Sequence, residues 1–218
     1  MTPQTRAWRI GVLAWAAGMV DTYGYLMLGH VFVSHITGNA SVLAIALVQG
    51  NMAEAWHRGW AIPTFFVGSL IGGVLVENAE ETSQVSRALL LEAALLVAFV
   101  VVSWLGAFSL QASGVDWAVL IALLGSAVGI QNAALTHRDT RGTHTTHLTG
   151  AMTDLAVELA RVIRPREQAP AGRAAALCSR LAGFFVGGVI GAVLFQDLPA
   201  AGPLVPAAIL IAFVAFAL

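Results

Sequence analysis

The sequence predicts an all-α membrane protein: a polytopic bundle of six spans plus two short re-entrant or interfacial helices, built from two inverted internal repeats. Three observations predict it. Only 11% of the 218 residues are charged and 58% are hydrophobic, with mean hydropathy +0.79; soluble domains carry about a quarter charged residues. Six apolar stretches approach the ~20 residues that cross a hydrocarbon core about 30 Å thick. A set of short motifs also occurs twice, in the same order. The same arithmetic excludes disordered and collagen-like chains. A single cysteine, Cys178, excludes a disulfide-stapled module. A formal net charge of −1 excludes a nucleic-acid partner, which requires a basic face.

Taken in order, the first span is Trp8–Gly29, preceded by Arg6 and Arg9. It resembles a signal peptide only superficially, because the same pattern returns later in the chain, where no signal could sit. A short apolar segment follows from Thr37 to Gln49, then spans at Gly59–Val76, Ala88–Phe108 and Trp117–Leu135. A second short segment, Thr149–Arg161, carries Asp154 and Glu158, and two more spans close the chain at Ala174–Phe195 and Pro199–Leu218. At 1.5 Å per residue each short segment covers about 20 Å, which suits a re-entrant or interfacial helix.

Arginine arbitrates the topology, since every one of the 11 basic residues is Arg. With six crossings and an inner N-terminus, only Arg58 falls outside. If both short segments crossed, Arg87, Arg138 and Arg141 would move out and Arg58 in, three violations of the positive-inside rule against one. The six-span reading puts both termini on the cytoplasmic side of a bacterial inner membrane.

Ser34-His35-Ile36-Thr37-Gly38-Asn39 returns as Thr146-His147-Leu148-Thr149-Gly150-Ala151. Gly18-Met19-Val20-Asp21 is answered by Gly129-Ile130-Gln131-Asn132, and Phe65-Phe66-Val67-Gly68 by Phe184-Phe185-Val186-Gly187. The single membrane domain 1–218 therefore divides into repeats 1–110 and 115–218. Three spans per half invert the second repeat, an arrangement that places binding sites near the midplane between halves; four would make the repeats parallel. The pairs Gly68/Gly72, Gly125/Gly129 and Gly187/Gly191 suit close helix packing within one subunit, and a homo-oligomer is not required.

Thr37-Gly38 and Thr149-Gly150 each stand where a short helix begins. A helix start offers unpaired N–H groups and a positive dipole end, a ready site for an anion or polar oxygen. Asp21 lies about 14 residues into the first span, where a carboxylate is costly and marks a bundle interior or pathway. Its counterpart Asn132, next to Gln131, is polar but uncharged. The matched pair His35 and His147 titrates in the physiological range and suits proton transfer. His144 and His147 are three apart, but no cysteine or carboxylate completes a zinc pattern, so no metal is expected. Asp154 and Glu158 share a helix face with Arg161 following, which reads as a wetted surface. Glu92 is expected to reach the interface by snorkelling.

Gly18-x-x-Asp21 with Tyr25, then Gly29-x-x-Phe32-Val33-x-x-x-Thr37-Gly38-Asn39, resembles the YoaK family of multi-pass bacterial membrane proteins. Gly129-x-Gln131-Asn132 and Thr145-Thr146-x-x-Thr149-Gly150 extend the resemblance to the second half, with the Arg-rich stretch Arg161–Arg173 as a departure. The resemblance implies fold and location but no substrate.

The expected function is transport of a small polar or anionic solute, by a secondary transporter or channel without cofactor, in contact with membrane lipid. Asp21, Thr37, Gly38, Asn39, Gln131, Asn132, Thr149 and Gly150 are the expected solute-binding residues; Asp21, His35 and His147 are expected to couple protons. The competing readings are a scaffold or sensor that binds a partner through 161–173, and an intramembrane enzyme. Catalytic templates such as Gly-x-Ser-x-Gly or HExxH are absent from the sequence, so no enzyme activity is expected.

Overall fold

A chain in lipid must satisfy its backbone hydrogen bonds within each segment, and helices do so without a partner. The computed structural model describes residues 3–77, 82–105, 114–138, 146, 148–163, 172–199 and 201–217. Among these are eight α-helices: α1 (Pro3–Met27), α2 (Ile36–Val48), α3 (Met52–Val76), α4 (Thr82–Leu105), α5 (Gly114–Arg138), α6 (Leu148–Ile163), α7 (Arg173–Asp197) and α8 (Leu204–Ala217). Both short segments are helical, starting one residue before the expected threonines.

Four helices, α3, α4, α5 and α7, are long and apolar enough to cross a membrane. α1 has 25 residues, about 37 Å at 1.5 Å each, but carries Arg6, Arg9 and Asp21. α8 differs from the expected 20-residue span: it has 14 residues, about 21 Å of helix. The reason lies in residues 198–203, where Pro199, Gly202 and Pro203 break the apolar run. There Ala201 and Gly202 N–H both donate to the Leu198 carbonyl, and the Tyr23 hydroxyl donates to the Pro199 carbonyl.

The dominant contacts pair α1 with α7 and α3 with α5. Between helices in lipid there is no water to expel, so close backbone approach has to supply the attraction. Glycine supplies it. A Cβ on Gly72 would stand 2.5 Å from the Ile130 carbonyl oxygen, and one on Gly191 2.6 Å from that of Met19. Side chains tie the same pairs: Ser126 Oγ donates to Thr64 O at 3.2 Å, and Ser179 Oγ to Ala7 O at 2.8 Å. All three small-residue pairs thus pack within the chain. α2 lies on α3, α6 on α7, and α4 bridges α5 and α8.

The distribution of exposed and buried side chains differs from that of a soluble protein. Phe66, Val67, Leu70 and Val74 of α3 are exposed, as are Phe185, Val186, Val189 and Val193 of α7, whereas Asp21, Arg58, Glu92, Gln131, Asn132, Glu158 and Arg180 are buried. An outer surface of large apolar side chains, over an apolar core that also encloses these polar groups, fits lipid as solvent.

Two charged positions depart from expectation. Glu92 does not snorkel: it is fully buried, and among the described residues neither carboxylate oxygen has a hydrogen-bond partner. It lies on the inner side of α4, and five residues of chain to Arg87 do not bring it to the interface. The acidic face of α6 is not simply wetted either. Glu158 is 3% exposed and meets Arg173 Nε of α7 at 3.2 Å, with Arg161 Nη1 at 3.1 Å. Arg173 Nη2 also approaches Asp154 Oδ2 at 3.5 Å. Glu158 turns inward, with the arginine that begins α7 as its partner, while the Asp154 side chain stays 45% exposed.

Candidate functional site

The connector from α1 to α2 reverses at Gly29 and His30, both at positive φ (64° and 66°). His30 stacks edge-on against Tyr25, and its carbonyl accepts from Arg58, which also holds Glu54 at 2.7 Å. The connector then folds back onto Asp21. One carboxylate oxygen accepts from the N–H groups of Val33 (3.1 Å) and Ser34 (2.8 Å); the other lies 2.6 Å from His35 Nδ1. Asp21 is therefore an anchor, buried beneath the start of α2, and does not bond its helix neighbours Thr22, Tyr23 or Tyr25 in this way. Asn39 works alongside it, donating to the Phe32 carbonyl at 2.5 Å.

His35 is the N-cap of α2 and makes no side-chain cap bond, which leaves the first-turn N–H groups without that partner. Its ring lies 5.8 Å from that of Phe184 on α7. It sits on the connector, outside the spanning helices. The hydrogen bond and charge of Asp21 raise its pKa above the ordinary histidine value, against the opposing effect of burial.

The start of α6 repeats the local geometry of α2. Ile36 N–H donates to Ser34 O at 3.1 Å and Leu148 N–H to Thr146 O at 3.0 Å. One turn on, Ser41 Oγ donates to Thr37 O at 3.1 Å, and Thr153 Oγ1 to Thr149 O at 3.0 Å.

Both helix starts border one cavity of about 490 Å³. Ser34, His35, Thr37 and Gly38 form one side, and Thr146, Thr149 and Gly150 the other. The third wall is a stripe of α3, Ile62, Phe65, Phe66 and Ser69, spaced i, i+3, i+4 and i+7 and so on one helix face; the cavity opens at the outer surface beside the exposed Phe66. A Cβ on Gly150 would meet no atom within 4 Å, and one on Gly38 none closer than 3.9 Å. Thr146 is 4% exposed, and among the described residues its hydroxyl has no partner.

Of the expected solute-binding residues, Thr37, Gly38, Thr149 and Gly150 come together on this wall. Asp21 and Asn39 stand behind it as supports. Gln131 and Asn132 lie elsewhere: both are buried on α5, and Gln131 Nε2 donates to Leu13 O of α1 at 3.2 Å. His35 is on the wall; His144, His147 and residues 164–171 of the Arg-rich stretch lie outside the described residues. Among the described residues, no group of three or more His, Cys, Asp or Glu could hold a metal. Ser34, Thr146, Phe65 and Phe66 belong to the repeated motifs but were not among the expected solute-binding residues, and Ile62 and Ser69 complete the wall.

The chain is similar to the UPF0700 transmembrane protein YoaK of Bacillus subtilis (strain 168), with 35% identity over 149 residues. That alignment covers 67% of this chain and 64% of the relative. No solved structure matches. From residue 10 to residue 217 the sequence fits one family throughout, and the chain belongs to it: the membrane proteins described as "Protein of unknown function (DUF1275)".

Proposed function

We propose that this protein carries a small polar or anionic solute across a bacterial inner membrane, with the cavity between the starts of α2 and α6 as its binding site. The observation that carries the reading is that two Thr-Gly helix starts, far apart in sequence, border the same space. Each brings a positive dipole end and first-turn N–H groups to it, and irregular backbone at membrane depth is tolerated where it lines such a cavity. The reading treats 1–110 and 115–218 as inverted repeats with six crossings and cytoplasmic termini. In its favour, α1 packs on α7 as α5 packs on α3, and the two helix starts share their turn geometry. It assigns the chain no catalytic step and no cofactor.

The test is flux. Purified protein in proteoliposomes, followed by stopped-flow light scattering against a panel of small polar and anionic solutes, should re-equilibrate at least one about tenfold faster than empty liposomes. Gly150→Leu, which fills open space, should remove the difference. Rates equal to empty liposomes across the panel would overturn the reading. Accessibility of Asn51→Cys and Thr140→Cys on a Cys178→Ser background decides the topology: six spans put residue 51 outside and residue 140 inside, and eight reverse both.

A further inference from the structure

The cavity has two chemically distinct parts. One is polar: two helix starts with Ser34, His35 and the buried Thr146, whose hydroxyl is enclosed and has no partner among the described residues. The other is apolar, made by Ile62, Phe65 and Phe66 of α3. A bare inorganic ion would use only the first part. A volume near 490 Å³ is in the range of small-molecule pockets, about 300–1,000 Å³. The fit is an organic molecule with an anionic head and a short apolar body.

His35 sets the charge. Its Nδ1 is engaged by Asp21 at 2.6 Å, so the ring's remaining nitrogen, Nε2, is the one left for a ligand. Without a proton Nε2 is an acceptor, and a carboxylate beside it would meet a lone pair with the Asp21 charge behind. With a proton it becomes a donor, and the histidine separates the two negative charges. The titratable group facing His35 is Asp21 from α1; α7 presents Phe184, and the wall residues of α3 and α6 among the described residues carry no charge. His147 lies outside those residues.

We propose that the cavity binds a small organic monocarboxylate together with one proton, the proton held on His35 between Asp21 and the bound carboxylate. This rests on the cavity being the solute site of the transport reading.

The test is binding to the full chain in nanodiscs, by ligand-observed NMR, with butanoate and hexanoate as probes and alcohols of equal length as neutral controls. The carboxylates should bind at least about thirtyfold more tightly than the alcohols, as expected of a site built to pair a polar head. Carboxylate affinity should fall at least about tenfold between pH 6 and pH 9, as the proton it requires is lost. His35→Gln should flatten that pH profile, and Gly150→Leu should abolish binding at every pH. Equal binding of the alcohols, carboxylate binding independent of pH, or binding that survives Gly150→Leu would each overturn the proposal. Where His35→Gln does not fold, the wild-type pH series and Gly150→Leu still decide. Carboxylate binding without flux in proteoliposomes would overturn the transport reading and leave this one standing. Flux confined to neutral solutes would do the reverse.

Discussion

The two turns that feed the cavity share a backbone and differ in how they are held. At residues 33–36 a buried carboxylate on α1 accepts two backbone N–H groups and pairs with a histidine, and Asn39 ties the turn to Phe32. At residue 146 the hydroxyl in the position of Ser34 has no partner among the described residues, and the α5 residue in the position of Asp21 is the amide Asn132. A carboxylate accepts on every lone pair, whereas an amide brings two donors of its own. One helix start is thus fixed by a carboxylate, and beside the other a buried hydroxyl has no partner among the described residues.

The largest effect should come from removing the anchor. Asp21→Ala strands two buried backbone donors and the His35 ring, at about 1–3 kcal/mol for each buried donor left unmade, so a loss of about 3–5 kcal/mol is expected. Asn132→Ala should cost about 1 kcal/mol, the scale of a single interhelical polar contact in a membrane. Thermal unfolding of the two variants in one detergent checks this. Equal losses would remove the asymmetry between the turns.

A smaller effect should separate the helices that follow. α6 is fastened to α7 by Glu158, Arg173 and Asp154, whereas the α2 positions matching Asp154 and Glu158 are Val42 and Ala46. Glu158→Ala should therefore loosen α6 alone, with amide exchange across 148–163 rising about tenfold, or about 1.4 kcal/mol of local opening, and α2 unchanged. Hydrogen exchange by mass spectrometry reads both helices in one experiment. Equal acceleration in α2 would show that the clamp supports the whole bundle instead of one helix.

What could be read from the chain follows from what periodicity encodes. The eight helical segments, the membrane class and the paired Thr-Gly starts were legible because each is local or repeated. Asp21 was legible as costly, but its role was not, since its partners lie 12 to 14 residues on, across a connector with no periodic pattern. Glu158 looked wetted because its partner Arg173 lies 15 residues on, at the far end of the Arg-rich stretch. Glu92 looked able to reach the interface because distance along a helix says nothing about which side faces α5 and α8. Asn39 looked like a cavity donor, yet its side chain turns back to Phe32. Phe65 and Phe66 of the α3 wall were visible as a repeated motif, but an apolar pair carries no sign that it lines a cavity, and Ser69 at the i+7 position of Ile62 is the wall's one polar residue.

The smallest predicted effect isolates the charge on the first turn. Asp21 raises the proton affinity of His35 in the fold, so the folded chain binds that proton more tightly than the unfolded chain does. A group shifted in this direction stabilises the fold fully at pH values below its unfolded pKa, about 6.5 for histidine, and loses that contribution as pH rises through the higher folded value. The difference in Tm between wild type and His35→Gln should therefore be greatest near pH 6 and shrink toward pH 9. A gap for His35→Gln that widens with pH would mean that the neutral imidazole is the form the turn holds. In that case the distinction between a charged and an uncharged helix start would have to be drawn from Asp21 alone.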